Sequence, residues 1–388
     1  MNIKELAKQN KDYVIDLRRE FHMHPEPSWK EERTSQRVKE ELEKMGIPFS
    51  PVAGTGVVAT IKGNQEGKTI ALRADMDALQ VKECNEVPYK SQNEGIMHAC
   101  GHDGHTAMLL GAAQVLNACK DEIKGTVKLF FQPAEELAQG AKKMIEEGVM
   151  EGVDGVFGIH LWSDIPAGTV SVEEGPRMAS ADMFTIRVKG KGGHGSLPHQ
   201  GVDAVVAASA IVMNLQSVVS REISPLESAV VSVGTFHSGT RFNVIANAAE
   251  LEGTTRCFNP QIREALPKML ERIAQNTAKS YRAETQIEYN FATPPTINDA
   301  GCSKLAEKAV EKILSKESVI KMEKVTGGED FAMFAEKAPA VMAFVGIRNE
   351  EKEAHYPHHH ERFNMDEDAL EIGTALYAQY ALDFLMEK

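Results

Sequence analysis

The sequence predicts an α/β protein: a larger domain with a mostly parallel central sheet flanked by helices, interrupted by a smaller inserted α+β domain. Three observations support this fold class. Strand and helix patterns alternate up to residue 159, which is typical of a parallel sheet covered by helices. The order then changes to β-α-β-β-α-β, as in a ferredoxin-like unit. The 388 residues also exceed what one hydrophobic core usually organises.

The first part of the chain begins with helices and continues with strands separated by helices. Leu6, Tyr13 and Phe21 recur at helical spacing within 3–22, and a second helix over 30–45 ends at Gly46. The elements predicted next are strands at 57–61 and 69–72, a helix at 105–118, a strand at 126–131, a helix at 136–147 and a strand at 153–159. This alternation indicates a largely parallel sheet.

A different pattern occupies residues 181–293. Its predicted elements are a strand at 184–188, an apolar helix at 203–219, strands at 228–234 and 248–256, a helix at 262–280 and a strand at 284–290. Thr293-Pro294-Pro295 marks its end, and a helix at 301–315, a strand at 340–346 and a helix at 366–385 follow. We therefore expect one domain from 1–180 and 294–388, and an inserted domain from 181–293.

Charge and cysteine content argue against several classes of protein. The net charge is −13 and no Lys/Arg-rich run occurs, which argues against nucleic acid or an anionic membrane as a partner. The five cysteines are odd in number and far apart, so we expect no disulfide framework. The N-terminus lacks the apolar core of a signal peptide, and no run approaches the length of a membrane span. We expect a cytoplasmic protein.

Four separate segments supply groups that can bind metal. The loop from Cys100 to His105 (CGHDGH) combines a thiol with two imidazoles, which are ligands of zinc-class ions. Adjacent carboxylates follow at Glu135 and Glu136, then His160, and then a cluster at His358, His359 and His360. Each group has an ordinary structural explanation, but all four together favour a binuclear hydrolytic site.

The predicted elements bring these segments together. Cys100 and His102 precede a helix, whereas Glu135, Glu136 and His160 each follow a predicted strand. Ligands of open α/β sheets bind in the crevice at the carboxyl ends of the strands. We therefore expect residues that are distant in sequence to meet at one edge of the sheet.

Residue type suggests a role for each group. Cys100 would be a thiolate able to bridge two ions, and His102, His160 and one of the late histidines would be neutral imidazole ligands. One carboxylate of the Glu135-Glu136 pair would bind metal, while the other would take a proton from water and pass it to a leaving nitrogen. Asp75 and Asp77 end a predicted strand and have no role assigned by residue type alone.

Six blocks in order resemble those of the M20 metallopeptidase and amidohydrolase superfamily over essentially the whole chain. They are RREFHMHPE (18–26), RADMDAL (73–79), HACGHDGH (98–105), QPAEE (132–136), GKGGHG (190–195) and GGEDF (327–331). The likeness is greatest to the branch of hippurate hydrolases, N-acyl-amino-acid deacetylases and auxin-conjugate amidohydrolases.

The resemblance implies two divalent metal ions, manganese, zinc or nickel, and a particular set of ligands. These fall on Cys100, His102, Glu136, His160 and His359, with Glu135 as the general acid and base and Asp75 orienting a ligand. Phe363 and the acidic pair Asp366-Glu367 set the register that selects His359. The chain has Glu361 where the family often has proline, so His358 stays an alternative.

For the inserted domain, the resemblance implies a lid that also forms a homodimer or a higher homo-oligomer. His194 would polarise the scissile carbonyl or hold the oxyanion, and Asn243 would bind the substrate's α-carboxylate. Arg256 is either a second carboxylate partner or a charge at a strand end. The lid would have to close for His194 to reach the metals.

The resulting expectation is a metal-dependent amidohydrolase that cleaves an N-acyl-L-amino acid to a carboxylate and a free amino acid. Two alternatives remain, a dipeptidase or carboxypeptidase of the same architecture and a metal-binding carrier protein. The general base beside a ligand argues against a carrier, because storage needs no base. The acyl group, the amino acid and the physiological metal stay open.

Overall fold

A computed structural model describes residues 2–387, which divide into two compact units. The large unit contains the residues up to Gly175, Ile297–Glu323 and those from Asp330 onward; the small unit contains Pro176–Thr296 and Lys324–Glu329. The helices are α1 (Ile3–Gln9), α2 (Lys11–Met23), α3 (Glu32–Lys44), α4 (His102–Ala118), α5 (Gly140–Glu146), α6 (Ala204–Ser217), α7 (Pro260–Ser280), α8 (Ala300–Ile313), α9 (Ala332–Ala335) and α10 (Asp368–Met386).

The strands are given next, again in chain order. They are β1 (Phe49–Val52), β2 (Gly56–Lys62), β3 (Gln65–Asp75), β4 (Lys124–Gln132), β5 (Gly155–Pro166), β6 (Val170–Ser171), β7 (Gly175–Met178), β8 (Ala181–Lys189), β9 (Gly193–His194), β10 (Ala229–Ser238), β11 (Val244–Ile245), β12 (Ala248–Cys257), β13 (Glu284–Thr293), β14 (Thr296–Asn298) and β15 (Ala340–Arg348).

The large unit is built on a seven-stranded sheet in the order β1-β2-β4-β3-β5-β15-β6. Its four central strands, β4, β3, β5 and β15, run parallel, while β1, β2 and β6 are antiparallel to their neighbours. Strands buried on both faces require apolar residues throughout, and β15 is buried from Ala340 to Ile347. The predicted mostly parallel central sheet is confirmed.

Helices α4 and α10 pack in the core of the large unit. All but three residues of α4 are buried, and His102 to Ala113 form an unbroken buried stretch. A helix that is apolar on every side cannot remain at a surface. His102, a predicted ligand, is the first residue of α4, so this packing also holds His102 in place.

Three of the differences between the large unit and the sequence-based prediction lie at α1 and α2, at β1 and at α5. The helix expected over 3–22 is interrupted at Asn10, which caps α1 and precedes α2. The strand β1 has no clear pattern in the sequence. The helix expected over 136–147 begins only at Gly140, because Ala134 and Ala138 adopt left-handed backbone angles, with φ of 51° and 54°. Glu135 and Glu136 therefore lie on an irregular turn.

The small unit contains a four-stranded antiparallel sheet in the order β10-β12-β8-β13. Together with α6 and α7, its chain order is β-α-β-β-α-β, which is the predicted ferredoxin-like order. Its core is separate from that of the large unit and includes Phe184, Ile211, Leu251 and Leu270. Lys324–Glu329 also belongs to this unit, outside the predicted 181–293. The functions predicted for the two domains stay predictions.

One helical stretch, Ala204–Glu222, is long and apolar enough to cross a membrane by length and composition alone. No apolar run of that length is predicted from the sequence, so this prediction is wrong for Ala204–Glu222 by length and composition. In the small unit, α6 buries Ala207, Ile211 and Leu215 against the sheet, and Met213 is 70% exposed. One face of α6 therefore packs in the core of the small unit, and apolar side chains on the other face are exposed.

Candidate metal centre

The predicted site residues of the large unit converge at the carboxyl ends of its parallel strands. Asp75 is the last residue of β3, and Glu135 shortly follows the end of β4. Cys100 precedes Gly101, the residue that caps α4, and His102 is the first residue of that helix. Because the carboxyl edge of a parallel sheet collects loops from several strands, residues that are distant in sequence become neighbours.

His160 lies within β5, whereas the sequence places it just after a strand. Strand β15 keeps pairing with β5 at this point, with Phe344 opposite His160 and Val345 opposite Leu161. The prediction is wrong about this strand end because continued pairing with a distant partner is invisible in the local pattern. A strand, rather than a loop, therefore holds the His160 backbone.

Potential ligands form two overlapping groups that share Cys100. The ligand atoms of Cys100, His102 and His160 lie within 4.8 Å of one another, and so do those of Cys100, Glu136 and His359. The Cys100 Sγ is 3.6 Å from His160 Nε2, and Glu136 Oε1 is 3.6 Å from His359 Nε2. A shared thiol between two such groups suits a pair of borderline divalent ions.

Hydrogen bonds leave one ring nitrogen of His102 and one of His160 available to a metal. His102 Nδ1 is 2.9 Å from the Asp77 carbonyl oxygen, and His160 Nδ1 is 2.7 Å from the Leu161 carbonyl oxygen, so each Nδ1–H donates. In the neutral ring, which is the form that binds metal, Nε2 then carries the lone pair. Within residues 2–387, His102 Nε2 and Glu136 Oε1 are buried without a hydrogen-bond partner. Buried polar atoms are normally paired, so these residues fit a bound cation.

Three ligand candidates have raised pKa values in the metal-free protein. Burial, together with the Glu136 carboxylate, raises the pKa of the Cys100 thiol well above its usual value. Burial raises the pKa of Glu136 to about 7 against the opposing charge of His102. Burial disfavours the His102 cation, but the Asp75 carboxylate outweighs it, so the His102 pKa is well above normal. Metal must displace these protons.

The other histidine ligand candidates are neutral. Burial, with the neighbouring His105 ring, lowers the pKa of His160 well below its ordinary value. Burial also lowers the pKa of His359, with a smaller effect from His102. Neutral imidazoles are the form that binds metal.

The structure separates His358 from His359. His358 Nε2 is 2.9 Å from the Leu161 carbonyl oxygen and its Nδ1 is 3.1 Å from Ser163 Oγ, so both ring nitrogens are engaged. His359 adopts a left-handed backbone, with φ of 65°, and its N–H donates to the Ala99 carbonyl at 2.8 Å. This turn directs the His359 ring toward Glu136 instead of toward β5.

Asp75 belongs to a fully buried network beneath the site. Arg73 Nη1 donates to Asp75 Oδ2 at 2.7 Å, and Arg73 also donates to Gln132 and Asp330, at 2.8 and 3.0 Å. His105 Nδ1 is 2.6 Å from Asp75 Oδ1. Burial disfavours the Asp75 carboxylate, but the charges of His102 and Arg73 hold its pKa well below normal. Asp75 therefore stays ionised next to the candidate ligands.

Glu135 lies next to the ligand groups and is nearly enclosed. Its side chain belongs with His102 and Glu136 to a group whose ligand atoms lie within 4.8 Å of one another. Only 9% of Glu135 is exposed, and its Oε1 accepts the Asp330 N–H at 3.4 Å. A carboxylate held at the edge of a metal site can exchange a proton with water or with a leaving group.

The remaining predicted residues lie in the small unit. His194 pairs with Val244 between β9 and β11, and the Gly195 N–H donates to the Asn243 carbonyl at 2.9 Å, so His194 and Asn243 are neighbours. The Ser196 N–H donates to His194 Nδ1 at 3.1 Å, which leaves the proton of a neutral ring on Nε2. Arg256 lies on β12, and burial lowers its pKa.

Residue type alone missed several contributors to this site. His105, Arg73 and Asp330 belong to the buried network, and Asp77 contacts His102 and the turn of the two glutamates. His105 could have been found, because it lies three residues after His102 on one helix and hence on the same face. Nothing in the local sequence shows that Arg73 and Asp330 meet.

The chain is similar in sequence to known peptidases and deacetylases. The pattern of peptidase family M20/M25/M40 matches residues 71–383. The chain is 42% identical over 371 residues to N-acetylcysteine deacetylase of Bacillus subtilis, which covers 95% of this chain and 96% of that protein. It is 43% identical over 387 residues to thermostable carboxypeptidase 2 of Saccharolobus solfataricus, covering 98% of each.

A solved structure is similar over nearly the same extent. It is a dinuclear metal binding peptidase of the M20 family from Bacillus subtilis, with a TM-score of 0.87 and 38% identity, covering 97% of this chain and 99% of that one. These matches confirm the resemblance inferred from the sequence blocks.

Proposed function

The chain belongs to peptidase family M20/M25/M40, and on this premise we propose that it is a metal-dependent amidohydrolase of N-acyl-L-amino acids. The products would be a carboxylate and a free amino acid. The observation that carries the proposal is the pair of ligand groups sharing Cys100, with the nearly enclosed Glu135 beside them. The deacetylase similar to this chain supports an acylated amino acid as the substrate.

We propose that two divalent ions, manganese, zinc or nickel, bind through Cys100, His102, Glu136, His160 and His359. The thiol common to both groups and the unpartnered atoms of His102 and Glu136 support this ligand set. Ions in such a site polarise an amide carbonyl and make water more acidic.

Glu135 is the proposed acid and base of the reaction. Its carboxylate takes a proton from the attacking water as the new C–O bond forms, and it delivers that proton to the nitrogen as the C–N bond breaks. The low exposure of Glu135 supports this role, because an enclosed carboxylate exchanges its proton with the substrate rather than with bulk water. Asp75 is the proposed residue that orients the neighbouring rings: its Oδ1 is 2.6 Å from His105 Nδ1, and its ionised Oδ2 lies 3.7 Å from His102 Nε2.

His194, Asn243 and Arg256 are the proposed substrate-binding residues of the small unit. The His194 ring carries its donor at Nε2, which suits an oxyanion, and Asn243 would bind the α-carboxylate with Arg256 as a second partner. Closure of the small unit as a lid forms part of the proposal. Scattering profiles that are identical with and without a tight inhibitor would count against closure.

The small unit is also the proposed site of self-association. Val205, Val206 and Met213 expose 41%, 47% and 70% of their surface along α6, and such apolar faces are typical of interfaces. We propose a homodimer or a higher homo-oligomer through this face, which analytical ultracentrifugation tests.

The five free cysteines support a reducing compartment, which we take to be the cytoplasm.

The decisive experiment measures release of free amino acid from N-acetyl, N-benzoyl and N-succinyl amino acids and from dipeptides. Manganese-loaded wild type and the Glu135→Gln variant are compared. We expect wild type to hydrolyse acylated amino acids and Glu135→Gln to lose about 10²–10⁴-fold in rate while retaining metal. Equal rates for the two proteins would refute the assigned base.

A carboxypeptidase or dipeptidase is the second candidate, favoured by the similarity to a carboxypeptidase. Turnover confined to peptides would move the assignment there, as judged by relative kcat/KM. Metal binding without turnover of any amide would instead favour the carrier protein.

A further inference from the structure

An exposed leucine directly follows the proposed base and its neighbouring ligand. Leu137 exposes 51% of its surface on the turn that carries Glu135 and Glu136. In the described part of the large unit, the other large apolar side chains that expose 36% or more are Ile297, at 36%, and Met386, at 55%. A single exposed apolar residue is ordinary at a protein surface. The position of Leu137, rather than its exposure alone, therefore carries the argument.

Hydrogen bonds close the turn around Leu137. The Ala138 N–H donates to the Glu135 carbonyl at 2.6 Å, so the two residues that precede and the one that follows form a bonded loop. The Trp29 indole N–H donates to Gln139 Oε1 at 3.0 Å, which ties the far side of the turn to another segment of the large unit. The Leu137 side chain thus projects from a backbone that is held in place.

The chemistry proposed above takes place next to this side chain. The Cα atoms of consecutive residues are about 3.8 Å apart, which is the spacing of Leu137 from Glu136. The Glu136 Oε1 lies 3.6 Å from His359 Nε2, and the ligand atoms of Glu135, Glu136 and His102 lie within 4.8 Å of one another. An amide that reacts with Glu135 must therefore lie close to Leu137.

The proposed function assigns the two halves of the substrate to different residues. Asn243, in the small unit, is the proposed partner of the α-carboxylate, so the acyl half is left to the large unit. There, Leu137 is the exposed apolar side chain that adjoins the ligand groups. Contact with Leu137 removes apolar surface of an acyl group from water, and the gain grows with the area removed.

This contact distinguishes acyl groups by size and polarity. The methyl group of acetyl offers little apolar area to Leu137, whereas the ring of benzoyl offers much more. A succinyl carboxylate that lay against Leu137 would lose water without gaining a hydrogen bond, which is unfavourable. An exposed leucine at this place therefore favours an acyl group that is apolar and larger than acetyl.

We propose that Leu137 is a specificity-determining residue that contacts the acyl group and gives the protein a preference for benzoyl-like groups over acetyl. The inference rests on the proposed function, because it assigns one part of that substrate to one side chain. Leu137 takes no part in the bond changes and contacts only atoms beyond the carbonyl carbon. Its replacement should therefore change the discrimination between acyl groups.

The test compares Leu137→Ala and Leu137→Met with wild type. Alanine removes the apolar contact, whereas methionine keeps the apolar character and approximate volume. Met386→Ala is the matched control, because Met386 is also apolar and exposed, and it ends α10. Close to that helix end, the Phe384 ring centroid lies 5.4 Å from Lys68 Nζ in the first half of β3, whereas the metal centre lies at the carboxyl end of the sheet.

Two ratios are measured with manganese-loaded protein and the N-benzoyl and N-acetyl derivatives of L-alanine. The first is the ratio of the two kcat/KM values. The second is the ratio of the two dissociation constants from calorimetry on Glu135→Gln protein, with and without Leu137→Ala, because this background binds substrate with little turnover. The second ratio does not depend on catalysis.

We expect wild type to prefer the benzoyl compound. Leu137→Ala should lower kcat/KM for the benzoyl compound about tenfold and for the acetyl compound less than about twofold, since a lost apolar contact of this size changes discrimination by about an order of magnitude. The ratio of dissociation constants should change in the same direction. Leu137→Met should stay within about threefold of wild type, and Met386→Ala should match wild type.

An unchanged benzoyl-to-acetyl ratio in Leu137→Ala would overturn the inference, and so would equal losses for both compounds, which would indicate a contact common to all substrates. A wild-type preference for the acetyl compound would overturn it as well. If wild type hydrolyses neither compound, the proposed function fails, whereas the ratio of dissociation constants still judges Leu137. Binding of neither compound would reject both.

Discussion

Metal binding to the candidate centre should depend steeply on pH. In the metal-free protein, burial and the Glu136 charge raise the pKa of Cys100, and burial raises the pKa of Glu136 to about 7. The pKa of His102 is also raised, because Asp75 outweighs burial. Cys100 and His102 therefore hold their protons at neutral pH, and Glu136 holds its proton below about pH 7. The ion must displace these protons, so affinity increases with pH.

The magnitude follows from the number of protons displaced. One proton lowers affinity about tenfold, or about 1.4 kcal/mol, for each pH unit below the pKa of its ligand. Cys100, Glu136 and His102 together would give a combined loss of about a thousandfold per unit well below pH 7. Burial lowers the pKa values of His160 and His359, so these two rings release no proton near neutral pH.

Titration calorimetry with Mn²⁺ in buffers of different ionisation enthalpy counts the protons released. We expect two to three protons at pH 6.5, a count that Glu136→Gln reduces by about one. Cys119→Ala is the control, because this buried thiol lies outside both ligand groups and its loss should leave the count unchanged. Release of less than one proton at pH 6.5 would refute the reasoning.

Three further predictions concern stability and ligand identity. Arg73→Met removes the buried cation that pairs with Asp75 and Asp330 and should cost about 3–5 kcal/mol in urea unfolding of the metal-free protein. Arg187→Met, at a side chain that is 46% exposed, should change the free energy of unfolding by less than about 0.5 kcal/mol. His359→Ala should lower bound metal per chain and His358→Ala should mainly lower the melting temperature; the reverse result would exchange their roles. Ala53→Gly should add roughly 1 kcal/mol of stability, because φ there is 48°; an unchanged urea midpoint would contradict this.

Much of the fold could be predicted from the sequence because the buried positions of each element form a recognisable pattern of apolar residues. Strands buried on both faces appear as continuous apolar runs, as in β15, and the small unit alternates with a period of two in β8. The break in the helix at Asn10 and the late start of α5 do not change the pattern of apolar residues. The break depends on capping and the late start on left-handed alanines, which local periodicity does not record.

The metal-binding residues of the candidate site could be predicted from the sequence, but the backbone angles and buried contacts that position them could not. Metal-binding residue types stand out in a sequence, and Cys100, His102 and Glu136 are brought together in the structure. The choice between two adjacent histidines depends on a positive φ at His359, a backbone angle that residue type does not indicate. The contacts of Asp77 depend on a turn far away in the sequence.

The chain order of the proposed ligands has a consequence for biosynthesis. Four of them precede the small unit, whereas His359 follows β15, and its N–H joins the Ala99 carbonyl beside Cys100. A ribosome must therefore complete the small unit and the last strand of the sheet before the fifth ligand emerges. A chain released before His359 would lack one member of the group Cys100, Glu136 and His359, so the ion proposed for that group can bind fully only after both units have been synthesised.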